Sequence, residues 1–397
     1  MSPISTILKE TSAYLDDLKT WRRHIHKHPE LSFDEHRTSA YVVQCLADMG
    51  IKGHVDAMEP GVVAEVDGAG PGPTVALRAD LDALPIAEET GLEFASKVTG
   101  VSHACGHDMH TAILLGAARY LQSHKDTFGG RVRLLFQPAE EQPPGGARIL
   151  IERDAMRDVQ AILALHVQPE LPAGTIGLRS GLMTATINDF DIRIIGRSGH
   201  TARPHHAVDP ILAATHAIQD MYAVLNRGLD ARDPVVLTVG ALNAGSTYNV
   251  IPSEATLRGT LRCATVEQRE AALDFVHRVL DGIDHIWQTT HEITVHDGYP
   301  PIINDPLVTE QVLNIGRELL GDHGVHVIDR PSMGAEDFSR FLELAPGCMF
   351  RLGVGRHGAD NALLHSSHFD PDETAMPVGS ALLAGGAIRC LAEFETR

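Results

Sequence analysis

The stretch His103-Ala104-Cys105-Gly106-His107-Asp108-Met109-His110 carries five side chains able to bind a transition metal within eight residues. Gly106 separates Cys105 from His107, and a glycine lets the backbone turn tightly enough to direct both neighbours to one point. A thiolate and an imidazole two residues apart, just before a predicted helix, form either a metal-binding pair or a nucleophile with its base. The third interpretation is a buried cluster whose side chains are satisfied by hydrogen bonds. The chain has 23 His, so a single histidine is weak evidence for a functional site.

The composition is that of a globular protein. The chain has 397 residues, 43% of them hydrophobic and 21% charged, which is enough for two domains and a sizeable core. Its 33 basic and 52 acidic residues give a formal net charge of -19, which repels phosphate backbones and anionic membrane surfaces. The charge therefore argues against nucleic acid or a membrane as a partner. An anionic substrate would need a local arginine or a metal.

The cysteines do not predict a disulfide framework, because they are odd in number and lack paired spacing. They are Cys45, Cys105, Cys263, Cys348 and Cys390. The N-terminus has no basic region followed by an apolar run, and no segment reaches the roughly 18 apolar residues of a membrane span. We expect a cytoplasmic protein.

Periodicity predicts an α/β layer in the first part of the chain. A helix is expected over 4–25, and the capping-box pattern Ser32-x-x-Glu35 predicts a second helix that ends at Gly50. Two strand-like runs, 62–66 and 74–79, flank a Gly/Pro-rich turn and are typical of a hairpin. Helices and strands then alternate, at 111–121 (helix), 132–136 (strand), 147–153 (helix) and 161–165 (strand). This alternation predicts a largely parallel sheet.

Acidic and imidazole groups follow three of these strands. They are Asp80 and Asp82, Glu140 and Glu141, and His166. In open α/β sheets, ligands bind outside the carboxyl ends of the strands, so we expect these groups to converge at one edge. Each group alone could be a turn residue, a solvated pair or a core histidine, but their shared position argues against that interpretation for all of them.

The pattern changes near Thr184. The expected order is strand, helix, strand, strand, helix, strand, at 187–194, 208–225, 235–241, 255–262, 266–286 and 292–296. This βαββαβ order fits a small α+β domain of one sheet and two helices. Elements of the first kind then resume, with a helix at 306–320, a strand at 325–328, a helix after Glu336 and a final helix toward Cys390. The sequence predicts an α/β domain of residues 1–183 and 298–397, with a mainly parallel mixed sheet flanked by helices, and an inserted domain of residues 184–297.

The chain can supply the ligands of a dinuclear hydrolase, which needs about six contacts shared over two metals about 3.5–4 Å apart. The candidates are Cys105, His107, Glu141, His166 and either His365 or His368. This set of sulfur, nitrogen and oxygen donors suits zinc, manganese, cobalt or nickel rather than magnesium or calcium. Glu140 offers a general base, since metal binding lowers the pKa of water to about 7 and a carboxylate can remove its proton during attack.

Eight segments resemble a known family: the aminoacylase/carboxypeptidase-type dinuclear metallo-amidohydrolases, in their hippurate hydrolase and indoleacetyl-amino-acid hydrolase branch. The segments run in one order along nearly the whole chain. They are RRHIHKHPEL (22–31), RADLDALP (78–85), HACGHDMH (103–110), QPAEE (137–141), GHTARPH (199–205), NVIP (249–252), MGAEDF (333–338) and LHSSHFD (364–370). The resemblance implies that residues 1–183 and 298–397 form the catalytic metal-binding domain.

The resemblance also implies the role of each candidate ligand. Cys105 is similar to the bridging thiolate, with His107 and His166 on one metal and Glu141 and His365 on the other. Glu140 is similar to the general base. His368 stays open as the alternative to His365, whose choice depends on the Leu-His order of the motif.

In the inserted domain, the resemblance implies three further site residues. His200 resembles the lid histidine that reaches the active site of the partner subunit and stabilises the oxyanion. Asn249 resembles its companion polar group, and Arg262 resembles the arginine that holds the substrate carboxylate. Since the family uses this domain as both lid and dimer interface, we expect a homodimer or a tetramer of dimers.

Two positions depart from the pattern of relatives. Arg78 stands where more distant peptidases carry a ligand histidine, so Asp80 and Asp82 are interpreted as groups that orient ligands. The run Gln142-Pro143-Pro144 replaces a short glycine-rich link and is expected to reshape the rim of the pocket.

The leading hypothesis is a metal-dependent amidohydrolase that cleaves N-acyl amino acids and holds two divalent ions, zinc or manganese first and cobalt or nickel next. A dipeptidase or carboxypeptidase-like hydrolase could use the same site. A nucleophilic Cys105 with His107 as base would leave the Glu140 and Glu141 pair without a role. A non-catalytic, metal-stabilised binding protein would not require Glu140.

Overall fold

The computed structural model describes residues 3–55, 59–230 and 232–396. The α-helices are α1 (Pro3–Ser12), α2 (Leu15–Lys27), α3 (His36–Asp48), α4 (His107–Ser123), α5 (Gly146–Glu152), α6 (Pro210–Gly228), α7 (Val266–Trp287), α8 (Pro306–Leu320), α9 (Ser339–Leu342) and α10 (Met376–Glu395). Short 3-10 turns cover Lys125–Thr127, Pro204–His206, Asp322–Gly324 and Glu373–Ala375.

The strands, in chain order, are β1 (Gly53–His54), β2 (Val62–Asp67), β3 (Thr74–Asp80), β4 (Arg131–Gln137), β5 (Val159–Pro172), β6 (Ile176–Leu178), β7 (Gly181–Leu182), β8 (Asn188–Ile195), β9 (Gly199–His200), β10 (Val235–Ala244), β11 (Val250–Ile251), β12 (Glu254–Cys263), β13 (Thr290–Val295), β14 (Ile303–Asn304), β15 (Val325–Val327) and β16 (Gly347–Gly355).

The chain divides into two compact units. The first consists of Met1–Met183, Ile302–Arg330 and Glu336–Arg397, and the second of Thr184–Pro301 and Pro331–Ala335. The second unit therefore includes residues 298–301 and 331–335, which lie outside the expected inserted domain of 184–297. Residues 331–335 belong there because Ser332 bridges Thr184 and the amide of Ala185 donates to the carbonyl of Gly334 over 3.1 Å.

The first unit is built on a mixed sheet in the order β1-β2-β4-β3-β5-β16-β6-β15. Its four central strands, β4, β3, β5 and β16, run parallel to one another. Strand β2 is antiparallel to β4, and β6 is antiparallel to β16. The predicted α/β class, with a mainly parallel mixed sheet flanked by helices, is confirmed.

Alternate side chains of the central strands face two different apolar layers. On β5, Leu163, Leu165 and Val167 belong to the larger core, which also contains residues of α4 and α10. Ile162 and Ala164 belong to the smaller core on the other face, with residues of α5 and α9. The side chain of His166 therefore projects on the same face as Ile162 and Ala164, near the carboxyl ends of the parallel strands.

Helix α10 is the apolar helix on which the larger core depends. Residues Glu373–Glu395 are long and apolar enough, by length and composition alone, to cross a membrane. However, 78% of their most apolar 18-residue window is buried inside the fold. The helix packs against α4, α8 and α1, and burial explains its composition without a membrane.

Three predicted elements of the first unit differ in the structure. The expected first helix is two helices, α1 and α2, interrupted at residues 13–14. The expected hairpin is wrong, because β4 lies between β2 and β3 and pairs with both. Strand β16 was not predicted at all, although it pairs with β5 along most of its length.

The second unit has the predicted βαββαβ order. Its sheet runs β10-β12-β8-β13, antiparallel throughout, and α6 and α7 share an apolar core with one face of the sheet. Both helices begin at caps that are readable in the sequence. Asp209 accepts from the amides of Ile211 and Leu212, and Thr265 forms a capping box with Gln268 at the start of α7.

Candidate active site

The turn before α4 requires a glycine. Gly106, the N-cap residue of α4, has φ 84°, and a Cβ at this position would lie 2.6 Å from Cγ2 of Val167. Only glycine combines that dihedral angle with so close an approach. The turn places Cys105 immediately before the helix and His107 at its first residue.

Two of the five candidate groups in the 103–110 stretch, Asp108 and His110, are already engaged by other residues of the protein. Asp108 accepts from Nε of Arg22 over 2.9 Å and contacts Nδ1 of His26 at 2.8 Å. His110 uses both ring nitrogens: Nδ1 donates to Asp80 over 2.6 Å and Nε2 accepts from the amide of Val167 over 2.9 Å.

His103 is the remaining member of the stretch. It is buried, and its ring nitrogens have no hydrogen-bond partner among residues 3–55, 59–230 and 232–396. Burial lowers the pKa of His103 to about 4, so the imidazole is neutral at ordinary pH. Cys105 and His107 are therefore the pair that the stretch supplies to the site.

Two groups of donor atoms meet at Cys105. One group contains Cys105, His107 and His166, the other contains Cys105, Glu141 and His365, and within each group the donor atoms lie within 4.8 Å of one another. The Cys105 sulfur is 3.4 Å from Nε2 of His166, and Nε2 of His365 is 3.3 Å from Oε1 of Glu141. The thiol is thus positioned between two separate sets of ligands.

The C-terminal histidine that joins these groups is His365. Its amide donates to the carbonyl of Ala104 over 2.8 Å, and its backbone has φ 63°, so the tight loop is fastened directly beside Cys105. His368 contacts Glu89 instead, with Nδ1 3.6 Å from the carboxylate, and belongs to no candidate metal group among the described residues.

Asp82 orients two of the donors at once. Nδ1 of His107 lies 3.0 Å from both Oδ1 and the backbone carbonyl of Asp82, which leaves Nε2 pointing away from Asp82. The other carboxylate oxygen accepts from the amide of Glu141 over 2.9 Å and from Ser32 Oγ over 2.7 Å. His166 is oriented in a similar way, because its Nδ1 is 2.8 Å from the carbonyl of Val167.

The predicted capping box at Ser32 and Glu35 is wrong, and both residues serve the site instead. Helix α3 starts without a side-chain cap from Glu35. Oε1 of Glu35 accepts from the amide of Ala139 over 2.6 Å. Ala139 has a positive φ of 48°. Burial, with the charge of Asp82, raises the pKa of Glu35 to about 8. These contacts hold the turn that carries Glu140 and Glu141.

Arg78 is buried at the centre of an ionic cluster. It donates to Oδ2 of Asp80 over 2.7 Å, to Oε1 of Glu336 over 2.9 Å and to Oδ1 of Asp337 over 3.0 Å. A carboxylate oxygen of Glu140 lies within 4.8 Å of carboxylate oxygens of Glu336 and Asp337. Burial, with the charges of Glu336 and Glu141, raises the pKa of Glu140 well above its ordinary value.

The donor set fits a borderline transition metal. Nε2 of His107 and Oε1 of Glu141 are buried and have no hydrogen-bond partner within the described part of the chain. The two atoms are 3.9 Å apart, and buried polar atoms without partners are rare in proteins. A thiolate, imidazoles and carboxylates together favour zinc, manganese, cobalt or nickel.

The three residues expected from the inserted domain all lie in the second unit. His200, on β9, accepts at Nδ1 from the amide of Ala202 over 3.1 Å. Asn249 accepts from Thr247 Oγ1 over 3.1 Å, and Arg262 donates from Nη1 to the carbonyl of Met333 over 2.8 Å. Their action on a substrate remains a prediction.

One charged residue beside the site was missed by the sequence analysis. Arg351 is aligned with His166 in the parallel register of β16 and β5. No family-like motif contains Arg351, and its strand was not predicted. The signal that could have found it is the short apolar run 347–355, whose residues Cys348, Phe350 and Leu352 surround the single charge of Arg351.

Residues 76–388 match peptidase family M20/M25/M40. The chain belongs to this family. Its membership makes the protein an enzyme of the hydrolase class. The match covers all the donor residues of the site and the whole of the second unit.

Two named relatives and one solved structure are similar to this chain along most of its length. This chain is 39% identical over 376 residues to the N-acetyl-L-cysteine deacetylase of Bacillus subtilis, and the match covers 94% of this chain and 88% of the deacetylase. It is 40% identical over 371 residues to thermostable carboxypeptidase 1 of Saccharolobus solfataricus, covering 91% and 93%. The solved structure of the Bacillus subtilis YXEP protein, described as a dinuclear metal binding peptidase of the M20 family, has a TM-score of 0.83 at 34% identity and covers 96% of this chain and 99% of that one.

Proposed function

We propose that this M20 protein is a metal-dependent amidohydrolase that cleaves the amide bond of N-acyl amino acids, releasing a carboxylic acid and a free amino acid. The observation that carries the proposal is the pair of donor groups that share Cys105, with the Glu140 carboxyl adjoining them. A single metal site would need only one such group. Two groups with one common sulfur suit two metals bridged by a thiolate.

The proposed ligands are those expected from the sequence. Cys105 would contribute to both sites, His107 and His166 would complete one of them, and Glu141 and His365 would complete the other. When bound, two divalent ions, zinc or manganese first and cobalt or nickel next, would polarise the acyl carbonyl and lower the pKa of a water molecule. The dinuclear description of the YXEP protein supports two ions rather than one.

Glu140 is the proposed general base. Its carboxyl lies with His107 and Glu141 in one candidate group, so it can reach a water molecule held at the donor set. Glu140 takes a proton from the attacking water and delivers it to the leaving nitrogen as the C–N bond breaks. The water oxygen ends in the carboxylic acid, and the amine leaves neutral.

The second unit is proposed to complete the enzyme. His200 would stabilise the oxyanion, Asn249 would assist it, and Arg262 would hold the substrate carboxylate. We also propose a homodimer or a tetramer of dimers. The half-exposed apolar side chains Tyr222 (40%), Val236 (40%) and Leu242 (43%) in this unit support a contact between copies, and light scattering in solution tests it.

The proposed compartment is the cytoplasm. All five cysteines are free and buried, which suits a reducing environment. A carboxypeptidase-like activity is the second candidate function, because thermostable carboxypeptidase 1 is 40% identical to this chain. Both activities cleave an amide next to a free carboxylate, so only substrates separate them.

The test is hydrolysis by protein stripped with a chelator and reloaded separately with zinc, manganese, cobalt or nickel. The substrates are N-acetyl, N-benzoyl and N-fatty-acyl derivatives of one amino acid, with dipeptides and blocked dipeptides of the same C-terminal residue. Activity on the acyl derivatives that is lost with the metal and restored by it is the expected result. Cleavage of the peptides alone would establish the second candidate, and no cleavage by protein with bound metal would reject both.

A further inference from the structure

The four central strands of the first unit align a row of polar residues on one face. Asp80 is opposite Gln137 across β3 and β4, and Arg351 is opposite His166 across β16 and β5. Arg78 is opposite Ala164, so two residues further along, Asp80 and His166 are neighbours as well. Because successive side chains of a strand point to opposite faces, the polar residues of this row all project on the face of the smaller apolar core. They are Gln137, Asp80, His166 and Arg351.

Arg351 is the outermost member of this row. On β16, Phe350 and Leu352 face the larger core, whereas Met349 joins the smaller one, so Arg351 projects on the same face as His166. Opposed residues on neighbouring strands lie about 5 Å apart. It is also the only residue of β16 that keeps partial exposure. Arg351 therefore lies beside His166, at the outer end of the row.

Arg351 has no partner of its own. Within residues 3–55, 59–230 and 232–396, its side chain makes no hydrogen bond or ion pair, whereas Arg78 makes four hydrogen bonds close by. The nearby carboxylates are already engaged: Glu336 accepts from Arg78, and Glu170 accepts from Gln168. A partly buried cation without a partner is costly, and a bound anion would offset that cost.

The electrostatic surroundings agree with this position. Burial lowers the pKa of Arg351, and the charges of Glu336, Cys105 and Glu140 oppose that effect. Burial, the charge of His110 and the charge of Arg351 together lower the pKa of His166. The guanidinium is thus within electrostatic range of the donor set while its hydrogen-bond donors stay unused.

We propose that Arg351 is a specificity-determining residue that binds a carboxylate group of the substrate beside His166. This inference rests on the proposed hydrolysis of N-acyl amino acids. Guanidinium and carboxylate form two parallel charge-assisted hydrogen bonds. In a chain with a net charge of -19, an anionic substrate needs such a local cation. Because Arg262 is the proposed partner of the amino-acid carboxylate, a carboxylate on the acyl group is the expected ligand of Arg351, and binding of the amino-acid carboxylate at Arg351 would replace that role of Arg262.

Three substrates distinguish the two sources: N-succinyl-L-alanine, N-butanoyl-L-alanine and N-butanoyl-L-alaninamide. They carry a carboxylate on both sides, on the amino acid only, and on neither side. The proteins are wild type, Arg351→Gln, Arg351→Lys and the control Arg131→Gln, which removes a surface arginine from the opposite end of β4. Circular dichroism and metal content verify each variant.

Arg351→Gln is expected to lower kcat/KM about 10- to 100-fold, mainly through KM, for substrates that carry the bound carboxylate. A loss for the succinyl compound alone assigns the acyl side, and a loss for both acids but not the amide assigns the amino-acid side. Arg351→Lys should retain part of the activity, and Arg131→Gln all of it. An equal loss for all three substrates, or no loss, overturns the proposal. If Arg351→Gln does not fold, the same comparison with Arg351→Lys decides.

A binding measurement separates this inference from the proposed function. Metal-free wild type and Arg351→Gln are titrated calorimetrically with succinate and with N-butanoyl-L-alanine. If wild type cleaves none of the substrates, the proposed function fails, but weaker binding by the variant still supports the anion site. Equal binding by both proteins, or binding by neither, overturns it.

Discussion

Nδ1 of His107 lies 3.0 Å from Oδ1 of Asp82, and the second oxygen of the same carboxylate accepts from the backbone amide of Glu141. A single side chain thus orients residues from both donor groups. Because Asp82 binds the backbone of one residue and the ring of the other, it determines their separation as well as their directions.

Asp82→Asn is expected to weaken metal binding about 10- to 100-fold. Asparagine cannot accept from Ser32 and Glu141 through its amide nitrogen, so His107 and Glu141 lose their common support. Competition with a chromogenic chelator measures the affinity. Asp67→Asn, at an exposed position on β2, is the matched control, and unchanged affinity in Asp82→Asn would remove the orienting role.

Glu140→Gln is expected to lower kcat by about 10²- to 10⁴-fold and to leave the metal content unchanged, because the amide cannot take a proton from water. Glu141→Gln should lose metal instead, since its oxygen belongs to a donor group. Steady-state kinetics and elemental analysis of both proteins make the comparison. Near-normal turnover in Glu140→Gln would contradict the assignment of the base.

Metal stoichiometry tests the bridging position of Cys105. Cys105→Ala should lose both ions because the sulfur belongs to both groups, whereas His166→Ala and His365→Ala should each lose one. His368→Ala should keep both, because that ring contacts Glu89. If Cys105→Ala retained one ion at the wild-type affinity, the two sites would be independent.

The pH dependence of the free energy of unfolding should show how much the protonated His26 stabilises the fold. Burial opposes its protonation, but the hydrogen bonds to Asp108 and Glu88 raise the pKa of His26 to about 9. Because this pKa is above the unfolded value of about 6.5, the stabilisation is complete below pH 6.5 and is lost as the pH rises through 9. The shift corresponds to about 3 kcal/mol.

Urea unfolding of wild type and His26→Gln at pH 6 and pH 10 measures this effect. The difference in the free energy of unfolding should be large at pH 6 and small at pH 10. Groups that titrate equally in both proteins cancel in this comparison. A difference that does not change with pH would assign His26 a packing role only.

The sequence predicts the elements that hold most of the donors, because Glu141 and His166 follow the start of a strand pattern and Cys105 and His107 precede or begin a helix, whereas His365 lies in a loop and is found from its motif alone. Glu140, Glu141 and His166 come together as the rule for carboxyl ends of parallel strands requires, and Cys105 joins them from the turn before α4. The βαββαβ order of the second unit is equally readable, since its helices have strong caps and its strands alternate.

Other features depend on long-range pairing, which local patterns do not encode. The run 62–79 has the pattern of a hairpin, but β4 from a later part of the chain separates its two strands. Ser32 and Glu35 have the spacing of a helix cap, but the buried Asp82 and Ala139 compete for their side chains. Arg351 escaped notice because a strand buried on both faces resembles any apolar run.

The polar row across β4, β3, β5 and β16 makes the site more sensitive to insertions and deletions than to substitutions. A residue added to β16 before Phe350 would turn the Arg351 side chain to the opposite face, into the apolar layer formed with α4 and α10, and would bring Phe350 beside His166. Exchanging the side chain at position 351 leaves the backbone alignment intact. New substrate preferences can therefore arise at this position by point mutation, whereas changes in chain length belong in the loops that follow the strands.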